Sequence, residues 1–413
     1  MNKFISLLAA ALIILSLKQS TTAQDWSQWR GPERNGSVPA SHTPKAWPES
    51  LQRVWRVEMG EGYASPLVSG GKVFVHSRQD PEEIVTAIEY ASGKVLWQQK
   101  YAAPYTKNQY AVKMAKGPNA TPLVVGNRLF TIGASGVLNA WDTKTGKQLW
   151  TKDFSKTVDT SKLFCGTAAS PLWFNGAVVI QVGSDVHGGQ ILALDPATGA
   201  SSWEWRGAGP GYASPVIVNV AGEPQIVTMT SGSIVGLNSK GVELWSTPFP
   251  DEWHENIVTP MWTGTHLIVS GPRQGTHAFT LKQVAGKWQA TEVWKNADVA
   301  MYMSSPVFGD GLIYGHSEKR KGQFVALDEK TGVVRWMTEG REGEHASVML
   351  TPANLVYLTN NADLIVARRA TAKFEVDKKY DVGESATWAA PVLLGTDLLI
   401  RDATGLSRLS AGK

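Results

Sequence analysis

One phrase of eleven residues recurs along this chain: Ala140-Trp141-Asp142-Thr143-Lys144-Thr145-Gly146-Lys147-Gln148-Leu149-Trp150 returns at 193–203 and at 326–336, each copy reading A-x-D-x-x-T-G-x-x-x-W. A variant at 87–97 keeps the spacing with Glu89 for Asp and Ser92 for Thr, and a shortened copy runs from Gly236 through Asn238 and Gly241 to Trp245. The phrase reads as a hairpin. Its Asp or Asn accepts backbone N–H bonds inside the turn, its Gly supplies a positive φ, and its Trp lies on the following strand. Self-similarity at a fixed period marks a repeat architecture and constrains the fold before any single residue is interpreted.

A second phrase precedes each hairpin, at Ala64-Ser65-Pro66, Ala120-Thr121-Pro122, Ala169-Ser170-Pro171, Ala213-Ser214-Pro215, Val258-Thr259-Pro260, Ser304-Ser305-Pro306, Ala346-Ser347-Val348 and Ala389-Ala390-Pro391. Its third residues are spaced 56, 49, 44, 45, 46, 42 and 43 apart, room for four short strands per unit. Units of this size predict propeller blades. In the first blade, strands are expected near 64–69, 72–77, 85–90 and 94–99. The segment 51–59 (LQRVWRVEM) reads as an outer strand with nothing before it, whereas the last unit offers three strands, near 388–393, 397–402 and 404–410. Pairing the orphan strand with those three closes the ring and leaves no open edge. The expected fold is all-β: an eight-bladed β-propeller of four-stranded antiparallel blades, closed by an N-terminal outer strand, with eight blades rather than seven.

Lys3 and the apolar run 4–17, followed by Thr21-Thr22-Ala23, read as a secretory signal peptide over residues 1–23, leaving an N-terminal arm at 24–50 and the propeller at 51–413. The run is short for a membrane span, so no transmembrane anchor is expected. Removing Lys3 and Lys18 takes the 40 basic residues to 38 against 36 acidic ones, a charge of +2 that points to neither nucleic acid nor an anionic membrane surface. Cys165 is the one cysteine, so no intramolecular disulfide can form, and none lies where a lipoprotein anchor would need it. The reading is a soluble, monomeric, periplasmic or secreted protein.

The eleven-residue phrase resembles the tryptophan-docking repeat of pyrroloquinoline-quinone (PQQ) type propellers, a group that includes PQQ-dependent alcohol dehydrogenases and the propeller of the outer-membrane β-barrel assembly machine. The opening Asp25-Trp26-Ser27-Gln28-Trp29-Arg30-Gly31-Pro32 is similar to the start of exported PQQ-like repeat proteins of planctomycete-type bacteria. The resemblance implies that Trp97, Trp150, Trp203, Trp245 and Trp336 dock blades together. In the dehydrogenases it implies a cofactor held by an adjacent-cysteine disulfide, a stacking Trp, a calcium ion and a catalytic Asp. One cysteine cannot make that disulfide, and the sequence shows no acidic cluster of the kind calcium needs. No cofactor, metal or catalytic residue is therefore expected, with PQQ and calcium kept as the alternative. His266 and His277 are not at metal spacing, and the Gly-rich stretch 207–211 lacks a nucleotide-binding context.

Loops that vary without disturbing the blades gather on the face where the inner strands begin. Candidate ligand or partner residues on that face are His76 and Arg78, Asp185 and His187, Arg273, and His316, with Tyr63, Tyr212, His345 and Trp388 around the funnel mouth. The long first crossing, 99–119, adds Tyr101, Tyr105 and Tyr110 interleaved with Lys100, Lys107, Lys113 and Lys116. The function expected is a non-catalytic binding or assembly propeller presenting its loop face to a protein partner or extracellular ligand. Two alternatives stand beside it: an oxidoreductase using PQQ or another cofactor in the funnel, and a scaffold like the outer-membrane assembly factor.

Overall fold

A computed structural model describes residues 25–111, 114–159, 163–369 and 372–412; the signal-peptide reading of 1–23 and Lys113 lie outside them. Among the described residues the chain forms eight four-stranded antiparallel sheets arranged as a ring. Blade 1 consists of Leu67–Ser69, Lys72–Gln79, Glu82–Glu89 and Val95–Ala102, each paired with the next. Blades 2 to 7 repeat this order and begin at Leu123, Leu172, Val216, Met261, Val307 and Ala346. Blade 8 takes Val392–Leu394, Asp397–Arg401 and Gly405–Ser410 from the far end of the chain and Gln52–Glu58 as its outer strand. Gln52 pairs with Ser410 and Glu58 with Gly405, which is the closure read from the sequence.

The repeated phrase owes its residue types to one hydrogen-bond pattern. Asp142 Oδ1 accepts the N–H groups of Lys144 and Thr145 and the Thr145 hydroxyl at 2.8–3.1 Å. Asp195 and Asp328 repeat these bonds in their own turns. Gly146 sits at φ +73°, and a Cβ there would lie 2.7 Å from the Trp97 ring of the preceding blade. Trp97 Nε1 donates to Thr143 O in that same turn at 3.3 Å. The same dock joins Trp150 to Pro196 O, Trp203 to Ser239 O, Trp55 to Tyr90 O and Trp294 to Glu329 O.

Two of the expected docking tryptophans sit differently. Blade 5 has no such turn; its ten-residue strands Gly275–Val284 and Lys287–Asn296 extend as a long hairpin that brings Trp288 and Ala290 to the cluster holding Trp245. Trp245 Nε1 then donates within its own blade, to Gln225 Oε1 at 2.7 Å. Trp336 packs on Phe374 of blade 7 with ring centroids 5.4 Å apart. Trp55 and Trp294 take docking places that the sequence reading left unassigned, because the strands carrying them lack the full preceding phrase.

The A-[ST]-P phrase is explained by a ring of bonds around the central channel. Ser65 N–H donates to Thr121 Oγ1, Thr121 N–H to Ser170 Oγ, Ser170 N–H to Ser214 Oγ, Ser214 N–H to Thr259 Oγ1 and Thr259 N–H to Ser305 Oγ, at 2.9–3.2 Å. Each hydroxyl ties one blade to its neighbour and satisfies a buried amide. Blade 8 has Ala390 at this place and offers no hydroxyl. There Arg401, fully buried in the next strand, donates to Ala64 O and His76 O at 2.6 and 2.8 Å and joins blade 8 to blade 1.

Candidate functional site

The segment 25–38, expected only as an arm, crosses the end of the channel at the face bearing the Asp-Thr-Gly turns. Trp26 exchanges two backbone bonds with Val68 of blade 1, Ser27 O accepts from Val124 N–H of blade 2, and Gly36 and Val38 bond to Leu350 of blade 7. Arg34 reaches blade 3, donating to Pro171 O at 2.7 Å and Ser170 O at 3.2 Å. Arg30 reaches blade 6, donating from Nη2 to Pro306 O at 2.5 Å and to Asn35 O. Trp26 is 1% exposed and packs in the largest apolar cluster with Val38. The arm therefore forms the floor of the funnel. Sequence reasoning missed Arg30 and Arg34; the available signal was two Arg and two Trp within nine residues of an otherwise turn-like stretch.

Above this floor lies a cavity of about 180 Å³. Four of the expected residues line it: Tyr63, Tyr212, His345 and Trp388. Trp388 is sandwiched, 5.5 Å from the Tyr63 ring on one side and 5.4 Å from the His345 ring on the other. Two loops complete the wall. Tyr63 Oη accepts from Ala115 N–H of the 103–119 loop at 2.9 Å, and Tyr212 Oη accepts from Phe164 N–H of the blade 2 to blade 3 crossing at 2.7 Å. Phe164, Cys165 and Met114 join the lining from those loops. Burial pushes the Cys165 thiol up to about 12, so it is held as a neutral thiol. Burial likewise lowers His345 to about 3, with His316 nearby adding to the effect, and the imidazole stays neutral.

Three other expected residues meet on the loop face. Asp185 Oδ2 accepts from His254 Nδ1 at 2.5 Å. Trp253, the next residue, is 67% exposed and lies under the Arg273 guanidinium, 4.3 Å from ring centroid to Cζ. Arg273 is fixed from behind by Asp251 and by Glu255 at 3.1 Å. Burial alone would raise the Asp251 carboxyl, and the Arg273 bonds overcome this and hold it below its ordinary range. His187 is exposed beside Asp185 in the same turn of blade 3. The Trp253–Arg273 pair was not read from the sequence, since Trp253 belongs to neither repeated phrase.

His76, Arg78 and His316 lie inside strands rather than in exposed loops. His76 and Glu83 are both 0% exposed; Tyr101 Oη donates to Glu83 Oε2 at 2.5 Å and His76 Nε2 stands 2.9 Å from the same hydroxyl. Arg78 donates to Asp80 and lies over Tyr105. His316 is 1% exposed and within bonding distance of Gly343 O, and burial takes it down to about 4. Of the aromatic and basic residues in 99–119, Tyr101 and Tyr105 are thus taken up in this network, while Tyr110 is 78% exposed.

A family model described as outer membrane protein assembly factor BamB matches residues 48–113, 81–338 and 282–373. The chain belongs to that family. BamB of Yersinia pestis is 26% identical over 301 residues, covering 69% of this chain and 72% of its own length. Quinohemoprotein alcohol dehydrogenase of Comamonas testosteroni is 22% identical over 306 residues, covering 67% of this chain and 41% of the enzyme. Among solved structures, BamB from Moraxella catarrhalis superposes with a TM-score of 0.62 at 14% identity over 87% of this chain and 97% of its own. The Comamonas testosteroni dehydrogenase gives 0.69 at 14% identity over 95% and 82%. These structural likenesses establish a shared propeller, and within it the funnel of this BamB-family chain can be tested against the dehydrogenase cofactor. Calcium takes six to eight oxygens, carboxylates prominent among them. Among the described residues no Asp or Glu lines the cavity, and no group of three His, Cys, Asp or Glu side chains could hold a metal ion. The residues present do not fit a calcium-held cofactor. Among the described residues no helix is long and apolar enough to cross a membrane.

Proposed function

We propose that this chain is an exported, non-catalytic binding or assembly propeller that presents its loop face to a protein partner. The observation that carries the reading is the platform of Trp253 and Arg273. An exposed Trp with an Arg fixed over it by two carboxylates is a pre-organised anchor of the residue types that dominate protein interfaces. His254, paired to Asp185, and the exposed His187 extend it across blades 3 to 5 on one face. The opposite end of the channel is occupied by the chain's own arm, which leaves the loop face as the place for recognition. Family membership supports an outer-membrane assembly role for that face, in a periplasmic setting.

A photo-crosslinking residue at Glu252, next to the platform, should capture a discrete partner from a cell-envelope fraction, and one at Lys144 on the turn face should not. Adding Trp253→Ala should abolish capture without changing the melting temperature, because the ring is largely exposed and contributes little to the core. Equal capture from both positions, or capture indifferent to Trp253, would move the partner elsewhere. The dehydrogenase alternative predicts dye reduction by primary alcohols after reconstitution with PQQ and calcium; the carboxylate-free cavity supports the opposite expectation, no turnover above a heat-killed control.

A further inference from the structure

Binding a partner on the loop face gives no role to the cavity, yet its floor carries an unusual charge arrangement. Arg30 is 7% exposed and Arg34 5%, and among the described residues neither forms an ion pair with a carboxylate. Their acceptors are backbone carbonyls and the Gln28 amide, and both lie against the face of Trp29 at 5.5 and 5.9 Å. Arg30 lines the cavity, its Nη2 taken up by Pro306 O and Asn35 O, and among the described residues the buried Nε of its neighbour Arg34 has no hydrogen-bond partner. A buried cation without a counterion is costly, and the cost falls when an anion is brought to it. Burial accordingly lowers both guanidinium groups to about 9, Arg34 further through the charge of Arg30. No Asp or Glu lines the cavity to repel such an anion.

The rest of the lining is predominantly apolar, with the rings of Trp29, Tyr63, Phe164, Tyr212 and Trp388 set among the channel hydroxyls of the A-[ST]-P phrases. A dry apolar cavity of about 150 Å³ accepts a benzene ring, and this one measures about 180 Å³. We propose that the funnel is a binding site for a single-ring aromatic carboxylate, its ring against the Tyr63–Trp388 stack and its carboxylate on the Arg30 guanidinium of the arm. Inorganic phosphate would leave the aromatic walls without a partner.

The test uses the full chain with benzoate, benzyl alcohol, acetate and inorganic phosphate as probes in calorimetric titrations and thermal shifts. Benzoate should bind saturably and at least about tenfold more tightly than benzyl alcohol, the discrimination expected of one buried charge-assisted hydrogen bond, and acetate and phosphate should be weaker still. Arg30→Gln should bring benzoate and benzyl alcohol to within about threefold of each other. Because Arg30 also anchors the arm, a second variant, Ala168→Phe, fills the cavity from the loop side; it should abolish benzoate binding while the melting temperature is kept or raised. The proposal fails if benzoate shows no saturable binding up to about 10 mM, weaker than a pocket of this kind should give, if benzyl alcohol or phosphate binds as tightly, or if Ala168→Phe folds and still binds benzoate.

Discussion

At the scale of single residues, the propeller depends on side chains whose neighbours leave them one protonation state or one conformation. His345 and His316 are held neutral, at about 3 and about 4, while the unfolded chain takes up those protons near 6.5. Their contribution to stability is therefore complete above about 6.5, is lost as pH falls toward 4, and levels off near 3. Denaturant titrations should show stability falling on acidification with a slope of at least about two protons near pH 5, to which His42 and the lowered carboxylates add, and His316→Gln should reduce that slope by about one. A slope unchanged by the substitution would mean that His316 protonates freely in the folded state. Gly199 is constrained in the other sense. It sits at φ +72° with the Trp150 ring 2.9 Å from where a Cβ would be, so Gly199→Ala should cost about 1–3 kcal/mol by strain and by pushing the dock apart, read as a lowered denaturation midpoint.

At the scale of elements, the docks and the closing strand should separate experimentally. Trp336 is 6% exposed, and Trp336→Ala should cost about 3–5 kcal/mol, the range for a buried large aromatic. Trp150 and Trp203 are only half-buried, and their loss should cost about half as much. Since Trp336 Nε1 makes no turn bond, equal destabilisation of all three by denaturant titration would show that ring burial does not set the cost. Beginning the chain at Gly60 removes Gln52–Glu58 and exposes the edge of Gly405–Ser410, so aggregation or a large fall in melting temperature is expected. The blades and their closure were legible because they rest on local signals: an Asp or Asn cap, a Gly and a strand pattern repeat with the period. Trp55 and Trp294 were not, since a docking role depends on the turn of the next blade and not on the strand that carries the Trp. Nor was the blade 5 hairpin, which replaces a turn by lengthening two strands. Within the site, Tyr63, Tyr212, His345 and Trp388 could be placed at the funnel because their position just before an inner strand fixes it, whereas His76 and His316 follow strand alternation inward. Arg30, Phe164 and Trp253 come from irregular segments with no period, and only tertiary packing brings them together.

At the scale of the whole molecule, the arm and the ring are two structures with one boundary. A chain starting at Leu51 keeps the closing strand but removes the floor made by Trp26, Arg30, Arg34 and Val38. It should retain the β-sheet circular dichroism of the full chain, melt at lower temperature, and lose benzoate binding while still capturing a partner through Trp253. Loss of both activities together would indicate that the loop face and the funnel respond to the arm as one unit.

The placement of the arm also has a chronology. Residues 25–58 leave the ribosome before any of blades 1 to 7, yet Arg30 needs Pro306, Val38 needs Leu350, and Gln52 needs Ser410. Trp26 and Trp55 can meet Val68 and Tyr90 of blade 1 early, but Arg30, Val38 and the strand Gln52–Glu58 lack their partners until nearly the whole sequence has been made. Through synthesis the nascent chain would present an open strand and an unfilled channel. A chaperone that shields residues 25–58 would govern the yield of closed rings more than any contact within blades 2 to 6.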